Sequence, residues 1–133
     1  MKRLFIDTNV IIDIIDDRPG KVDALHVLQL GESGKAELVV SILTMANVAY
    51  IARKKYSKTH LYPVMETFSQ IFRTLPMDAS QLDYAIAHPS IDFEDMLQYA
   101  CAIANDCDAI VTSNTKHFLM SGISVMKPSE VEI

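Results

Sequence analysis

The chain has 133 residues, of which 50% are hydrophobic and 22% are charged, which is enough apolar material for a packed core and argues against global disorder. Its 12 basic and 17 acidic residues give a formal net charge of −5, so the overall field of the protein does not attract nucleic acid. Binding of a polyanion would therefore need a local basic patch, a bridging cation or a second chain.

Length and patterning predict a single domain over residues 1–133, located in the cytoplasm. No apolar run approaches the length of a membrane span, and Asp7 and Asn9 interrupt the apolar stretch that follows the basic N-terminus. The two cysteines, Cys101 and Cys107, form neither a CxxC pattern nor a zinc pattern. Two free thiols are typical of a reducing compartment.

The predicted elements alternate between strand and helix along the chain. They are a strand at 3–7, a short helix at 9–17, a helix at 21–30, a strand at 37–40, helices at 41–55 and 59–72, a short strand at 74–76, helices at 78–88 and 92–105, and strands at 109–112 and 123–125. The β-branched run at 9–17 is compatible with a strand, but the turn and cap chemistry before it favours a helix. This order predicts an α/β fold with a short parallel β-sheet sandwiched between α-helices.

The first predicted strand ends in polar residues, Asp7, Thr8 and Asn9, and apolar sequence resumes directly behind them. That pattern is typical of a buried parallel strand that delivers polar side chains at its carboxyl end. Ligands of open α/β sheets bind outside the carboxyl ends of the strands. We therefore expect Asp7 to lie where a metal ion or a substrate would bind.

The helix predicted at 92–105 carries acidic residues at its start. At about 100° per residue, Asp92 and Asp95 fall to the same side of the apolar stripe, and Glu94 falls to the opposite side. Asp92 and Asp95 can therefore converge on one site, which Glu94 is not expected to reach unaided. The alternative is that Asp92 and Asp95 only cap the helix and oppose its dipole, with Glu94 exposed to solvent.

Two further segments carry polar side chains among apolar neighbours. Ser41, Thr44 and Asn47 are three residues apart in an otherwise apolar helix, so Asn47 either lines a polar cleft or is bonded inside the core. The strand at 109–112 ends in Thr112-Ser113-Asn114, which repeats the pattern of the first strand unless these residues only form a turn. Both segments are candidates for the walls of a site.

Gathered carboxylates require a counter-charge. Two unit charges at about 4 Å cost about 4 kcal/mol at an effective dielectric of 20, and a divalent cation relieves that repulsion. Carboxylate, amide and water oxygens suit Mg²⁺ or Mn²⁺ rather than zinc. The histidines show no zinc spacing, and the nearest to these segments, His117, is expected at the surface.

These residues carry a resemblance to the PIN domain family, which includes the VapC-like toxin ribonucleases. Asp7-Thr8-Asn9 resembles the opening motif of that family, and the segments 41–47 and 92–98 resemble its second and third motifs. Residues 111–114 with Phe118 resemble its fourth motif. The resemblance covers essentially the whole chain and implies a PIN-like three-layer fold and metal-dependent hydrolysis of RNA phosphodiester bonds by an endoribonuclease.

The resemblance also implies roles for individual residues. Asp7 and Asp95 match the core acids of the family, and Asp92, less readily Glu94, would supply the missing carboxylate. Asp7, Asp92 and Asp95 would then be catalytic and would hold Mg²⁺ or Mn²⁺. The supporting or substrate-orienting residues would be Asn9, Asn47, Glu94, Thr112 and Asn114. Asn47 and Asn114 stand where the family usually has acids, and with the Asp-Phe-Glu-Asp run they are similar to a subgroup with Asn at the second motif. The expected partners are RNA, an antitoxin protein and a second copy of the chain. No association with a membrane is expected.

Two other functions are compatible with the same residues. An acid-depleted cleft without turnover would leave a PIN-like module that acts through protein–protein binding. An aspartyl-phosphate phosphatase of the haloacid-dehalogenase type also begins with an Asp after its first strand, but it needs a second Asp where Asn9 stands. The basic cluster at 53–58 either steers RNA or caps a helix as solvated charge.

Overall fold

The computed structural model describes residues 1–90, 92–118 and 122–132. In these ranges the strands are β1 (Lys2–Ile6), β2 (Ala36–Ser41), β3 (Arg73–Leu75), β4 (Ala109–Val111) and β5 (Ser124–Met126). The α-helices are α1 (Thr8–Ile15), α2 (Lys21–Glu32), α3 (Ile42–Ala52), α4 (Lys58–Ile71), α5 (Ala79–Ala87) and α6 (Phe93–Ala104). Short 3₁₀ turns cover Thr115–Phe118 and Pro128–Glu130.

The five strands form one parallel sheet in the order β3-β2-β1-β4-β5. β1 is the central strand, and its residues Leu4, Phe5 and Ile6 are at most 1% exposed. A strand covered on both faces reads as a continuous apolar run, which is why this segment could be identified from the sequence. The predicted α/β fold with a parallel sheet is confirmed.

The side chains of the strands alternate between two apolar layers. Leu4 and Ile6 of β1 join a core with residues of α1 to α4, whereas Phe5 joins a core with residues of α5 and α6. Because successive side chains of a strand point to opposite faces, each face needs its own helical layer. The sheet is therefore sandwiched between helices, as the alternation of elements predicted.

Most differences from the predicted elements lie at their ends. α1 begins at Thr8 because Asp7 caps it, and it ends at Ile15 rather than at residue 17. Ser41, predicted inside a helix, is the last residue of β2 and the N-cap of α3. In the described ranges we find no helix with both the length and the apolar character needed to cross a membrane.

Candidate functional site

A polar cleft opens at the carboxyl edge of the sheet. β1 and β4 are neighbours in the sheet, so the residues that follow each strand meet at this edge, and the N-terminus of α6 closes it. The cleft is lined by Asp7, Thr8, Asn9, Ile12, Arg18, Ile51, Asp92, Glu94, Asp95, Asn114 and His117. Most of the residues singled out in the sequence therefore lie in one place.

Asp7 lies at the base of this cleft and is 7% exposed. Its Oδ1 accepts a hydrogen bond of 2.8 Å from the backbone N–H of Thr8. Its Oδ2 accepts one of 2.8 Å from the hydroxyl of Thr112. Burial raises the pKa of Asp7, and these two hydrogen bonds partly offset that effect. The carboxylate is thus held in one orientation in a poorly solvated position.

The ends of β1 and β4 are joined by a polar network behind Asp7. Asn9 donates from Nδ2 to Thr112 Oγ1 at 3.3 Å, and its Oδ1 accepts from the backbone N–H of Ser113 at 3.0 Å. Thr112 Oγ1 also accepts from the backbone N–H of Asn114 at 3.1 Å. Asn9 and Thr112 therefore position the chain around Asp7, and the segment 112–114 is more than a solvent-exposed turn.

Asp92 and Asp95 combine a structural and an electrostatic role. Asp92 is the N-cap of α6, and its Oδ1 accepts from the backbone N–H of Asp95 at 3.0 Å. Asp95 is 9% exposed. Burial, followed by the charges of Asp7 and Asp92, raises the pKa of Asp95 to about 6, although His117 acts in the opposite direction. Asp92 therefore caps the helix and also lines the cleft, so its capping role does not exclude it from a site.

His117 also lines the cleft, although its side chain is 40% exposed, as expected of a surface histidine. Its Nδ1 lies 2.7 Å from Asp95 Oδ2, and its Nε2 lies 2.8 Å from Asn114 Nδ2. Ligand atoms of Asp92, Asp95 and His117 all lie within 4.8 Å of one another. The 3₁₀ turn that follows β4 folds His117 back over the carboxyl edge, and its spacing of three from Asn114 was the only signal in the sequence.

Glu94 is an exposed residue of the first turn of α6 that reaches the cleft with the help of another helix. The helical wheel places it on the opposite side from Asp92 and Asp95, yet it lines the same cleft. The side chain of Asn47 on α3 donates from Nδ2 to Glu94 Oε1 and holds it there. The contact with α3 therefore keeps Glu94 at the cleft, which the position of Glu94 on α6 does not do by itself. Asn47 in turn is connected to the cleft by its hydrogen bond to Glu94.

The two polar residues that precede Asn47 at intervals of three have a different role. Ser41 and Thr44 form a capping box at the start of α3, and both hydroxyls are buried. They donate to Gln98 Oε1 of α6 at 2.6 and 3.2 Å, respectively. This buried network ties α3 to α6 and so fixes the distance between two walls of the cleft.

The basic residues are divided between the cleft and other contacts. Arg18, which sequence reasoning missed, lines the cleft. In the basic cluster at 53–58, Arg53 stacks over the ring of Tyr50 with its guanidinium carbon 4.0 Å from the ring centroid, and Lys55 donates to the carbonyl of Ile15. Arg53 therefore contacts its own helix, and Lys55 joins the end of α3 to the end of α1.

Comparisons with known proteins identify the family of this chain. Residues 3–116 match the PIN domain family. The chain is 30% identical to Ribonuclease VapC1 of Aquifex aeolicus over 138 aligned positions, which cover 97% of this chain and 92% of that protein.

Solved structures are similar in fold. VapBC-1 from nontypeable Haemophilus influenzae has a TM-score of 0.73 at 20% identity and covers 96% of this chain and 99% of its own. A toxin–antitoxin complex from Klebsiella pneumoniae has a TM-score of 0.72 at 23% identity, with the same coverage of 96% and 99%. The matched sequence and the shared architecture lead to one conclusion: the chain belongs to the PIN domain family.

Proposed function

We propose that the chain is a divalent-metal-dependent endoribonuclease that hydrolyses RNA phosphodiester bonds, and that it is the toxin of a type II toxin–antitoxin pair. The observation that carries this proposal is the gathering of Asp7, Asp92 and Asp95 in one cleft at the carboxyl edge of the sheet. The relationship to Ribonuclease VapC1 supports the same reaction.

The residues of the cleft fit a divalent cation. Asp95 Oδ2 is buried, and His117 Nδ1 lies 2.7 Å from it without the alignment of a hydrogen bond. The pKa of Asp95 is raised to about 6, chiefly by burial and then by the charges of Asp7 and Asp92. A bound cation would compensate both features, and carboxylate oxygens are suited to Mg²⁺ or Mn²⁺. We therefore assign Asp7, Asp92 and Asp95 as the residues that would hold it.

The residues of the chain would each contribute to binding and orientation. When bound, the metal would polarise the phosphate and supply hydroxide as the nucleophile. Thr112 and the backbone N–H of Thr8 keep both oxygens of Asp7 in place. Arg18 would attract the phosphodiester, and Asn114 at the cleft wall would orient water or substrate.

Glu94 would supply part of the charge that Asn47 and Asn114 lack. Asn47 is paired with the carboxylate of Glu94, so an acid is present on the α3 side of the cleft even though the residue at the second motif is neutral. We therefore assign Asn47 and Glu94 jointly as a supporting pair, and we place the chain in a subgroup of the family with Asn at this position.

The proposed partners follow from the relatives. Structures of similar fold include VapBC assemblies and a toxin–antitoxin complex, and on that basis we propose an antitoxin protein as the partner of this chain. We also propose a second copy of the chain in a homodimer. Since the net charge is −5, the RNA would be recruited by the local cation and by Arg18 rather than by the overall field. A cytoplasmic location fits these partners.

The decisive experiment compares RNA cleavage by the native protein and by Asp7→Asn, with Mn²⁺, with Mg²⁺ and with chelator. Asn keeps the size of the side chain but has one oxygen for the two donors that Asp7 accepts from, so circular dichroism and thermal unfolding of the variant are measured beside its cleavage to verify that it folds. We expect metal-stimulated cleavage in the native protein and its loss in Asp7→Asn. The matched control is Asp83→Asn on the exposed surface of α5, which should cleave like the native protein.

Unchanged cleavage in Asp7→Asn would refute the assignment of Asp7. Native protein that neither cleaves RNA nor binds Mn²⁺ in calorimetry at millimolar metal would instead favour the binding-module function.

A further inference from the structure

We propose that His117 is a nitrogen ligand of the metal ion held by Asp92 and Asp95, and that this imidazole makes the cleft select first-row transition ions over Mg²⁺. The inference rests on the metal-binding part of the proposed function and concerns which metal the site takes. An all-carboxylate site would not show this preference.

The distances between the candidate ligand atoms suit a single ion. At metal–ligand distances of about 2.1 Å, adjacent ligands of an octahedral ion lie about 3 Å apart. His117 Nδ1 lies 2.7 Å from Asp95 Oδ2. One atom from each of Asp92, Asp95 and His117 lies within 4.8 Å of the others, which also accommodates ligands on opposite sides of the ion.

An independent observation points to the same position. Asp95 Oδ2 is buried in a residue that is 9% exposed, and no hydrogen bond of complete geometry reaches it. Its contact with His117 Nδ1 at 2.7 Å leaves this oxygen with incomplete hydrogen bonding, which costs up to about 1–3 kcal/mol for a buried polar atom. The imidazole nitrogen is its close neighbour, so an ion shared by these two atoms would satisfy both.

The second nitrogen of the imidazole has the contact that a metal-bound histidine requires. His117 Nε2 lies 2.8 Å from the Asn114 side-chain amide. With Nδ1 on a metal, Nε2 carries the proton and donates it. A half-turn of the Asn114 amide then presents Oδ1 as the acceptor. Metal-bound histidines almost always donate their other N–H to such a partner, which fixes the tautomer.

The choice of metal follows from the nitrogen. Mg²⁺ binds oxygen ligands and retains several waters, whereas imidazole favours iron, nickel, zinc and related ions. Replacing one of the oxygen ligands by nitrogen therefore weakens Mg²⁺ relative to transition ions. The remaining carboxylates of Asp92 and Asp95 still supply the negative charge that any divalent ion needs.

The test uses Mn²⁺ as a spectroscopic probe of the full-length protein. Electron spin echo envelope modulation of the native protein with bound Mn²⁺ should show coupling to a nitrogen nucleus. The coupling should disappear in His117→Gln and persist in His26→Gln, which alters an exposed histidine of α2. The Kd for Mn²⁺ should rise about 10–100-fold in His117→Gln, with a smaller change for Mg²⁺.

The inference is overturned if native protein with bound Mn²⁺ shows no nitrogen coupling, if the coupling survives in His117→Gln, or if Mn²⁺ does not bind. Should His117→Gln fail to fold, judged by its circular dichroism, His117→Asn and the native spectrum decide the question. The RNA cleavage assay separates the two proposals. Metal-stimulated cleavage without nitrogen coupling would support the proposed function and refute His117 as a ligand. Nitrogen coupling without cleavage would support His117 as a ligand and refute the proposed ribonuclease activity.

Discussion

Replacement of Asp95 by Asn should stabilise the metal-free protein. In the native protein, burial and the charges of Asp7 and Asp92 raise the pKa of Asp95 from 3.8 to about 6. A pKa difference of that size corresponds to about 3 kcal/mol. Because the cleft opens to solvent and its charges are screened, we expect about 1–2 kcal/mol.

The sign of the effect depends on pH. A carboxyl group whose pKa is higher in the folded state favours folding while it is protonated, and that contribution is lost as the pH rises from about 4 through about 6. Asp95→Asn has no such loss. The variant should therefore match the native protein below about pH 4 and exceed its free energy of unfolding by about 1–2 kcal/mol near about pH 7.5.

Thermal unfolding followed by circular dichroism in the presence of chelator measures this difference. A gain of about 1–2 kcal/mol should raise the midpoint of Asp95→Asn by about 3–8 °C. The control Asp83→Asn, on the exposed surface of α5, should stay close to the native midpoint. On the proposed function, added Mn²⁺ should reverse the order, because metal bound at the native site would contribute about 2.7 kcal/mol at 100 times its Kd, whereas the variant would gain less.

A specific result would refute this reasoning. If Asp95→Asn is no more stable than the native protein near about pH 7.5, or if its advantage persists below about pH 4, burial and the neighbouring charges do not raise the pKa of Asp95 as described. A stabilising effect of Asp83→Asn of equal size would show that general charge reduction, and not the cleft, is the cause.

Two further variants test the groups that hold the cleft together. Thr112→Val removes the hydroxyl that donates to Asp7 Oδ2, so the pKa of Asp7 should rise further. The acidic limb of the pH–rate profile for RNA cleavage should then move to higher pH. The control Thr112→Ser keeps the hydroxyl and should leave that limb in place. Gln98→Leu removes the acceptor shared by the hydroxyls of Ser41 and Thr44, and urea denaturation should show a loss of about 1–3 kcal/mol. An unchanged denaturation midpoint would mean that these buried hydroxyls find other acceptors.

The sequence was informative wherever a pattern depends on one element alone. The apolar run of β1 and its polar end placed Asp7 at the edge of a parallel sheet. A strand buried on both faces is apolar at every position, so it can be recognised without knowing its neighbours. The period of α6 put Asp92 and Asp95 on one side of the helix, because that relation is internal to the helix. Both inferences needed no knowledge of the neighbouring elements.

Tertiary structure decided what faces these residues. Glu94 lies on the wrong side of α6 by the helical wheel, and it reaches the cleft because Asn47 of α3 contacts it. His117 became a neighbour of Asp95 because the turn after β4 folds over the edge of the sheet. Arg18 lines the cleft, a position that its local sequence does not predict.

The sequence by itself determined the alternation of strands and helices, the parallel sheet and the acids at its carboxyl edge, because these follow from local period and from the chemistry of strand ends. Only the tertiary structure decided that Glu94, Asn47 and His117 join Asp92 and Asp95, because the packing of α3 against α6 and the path of the chain after β4 are set by contacts between distant segments. Those contacts determine which side chains face the cleft.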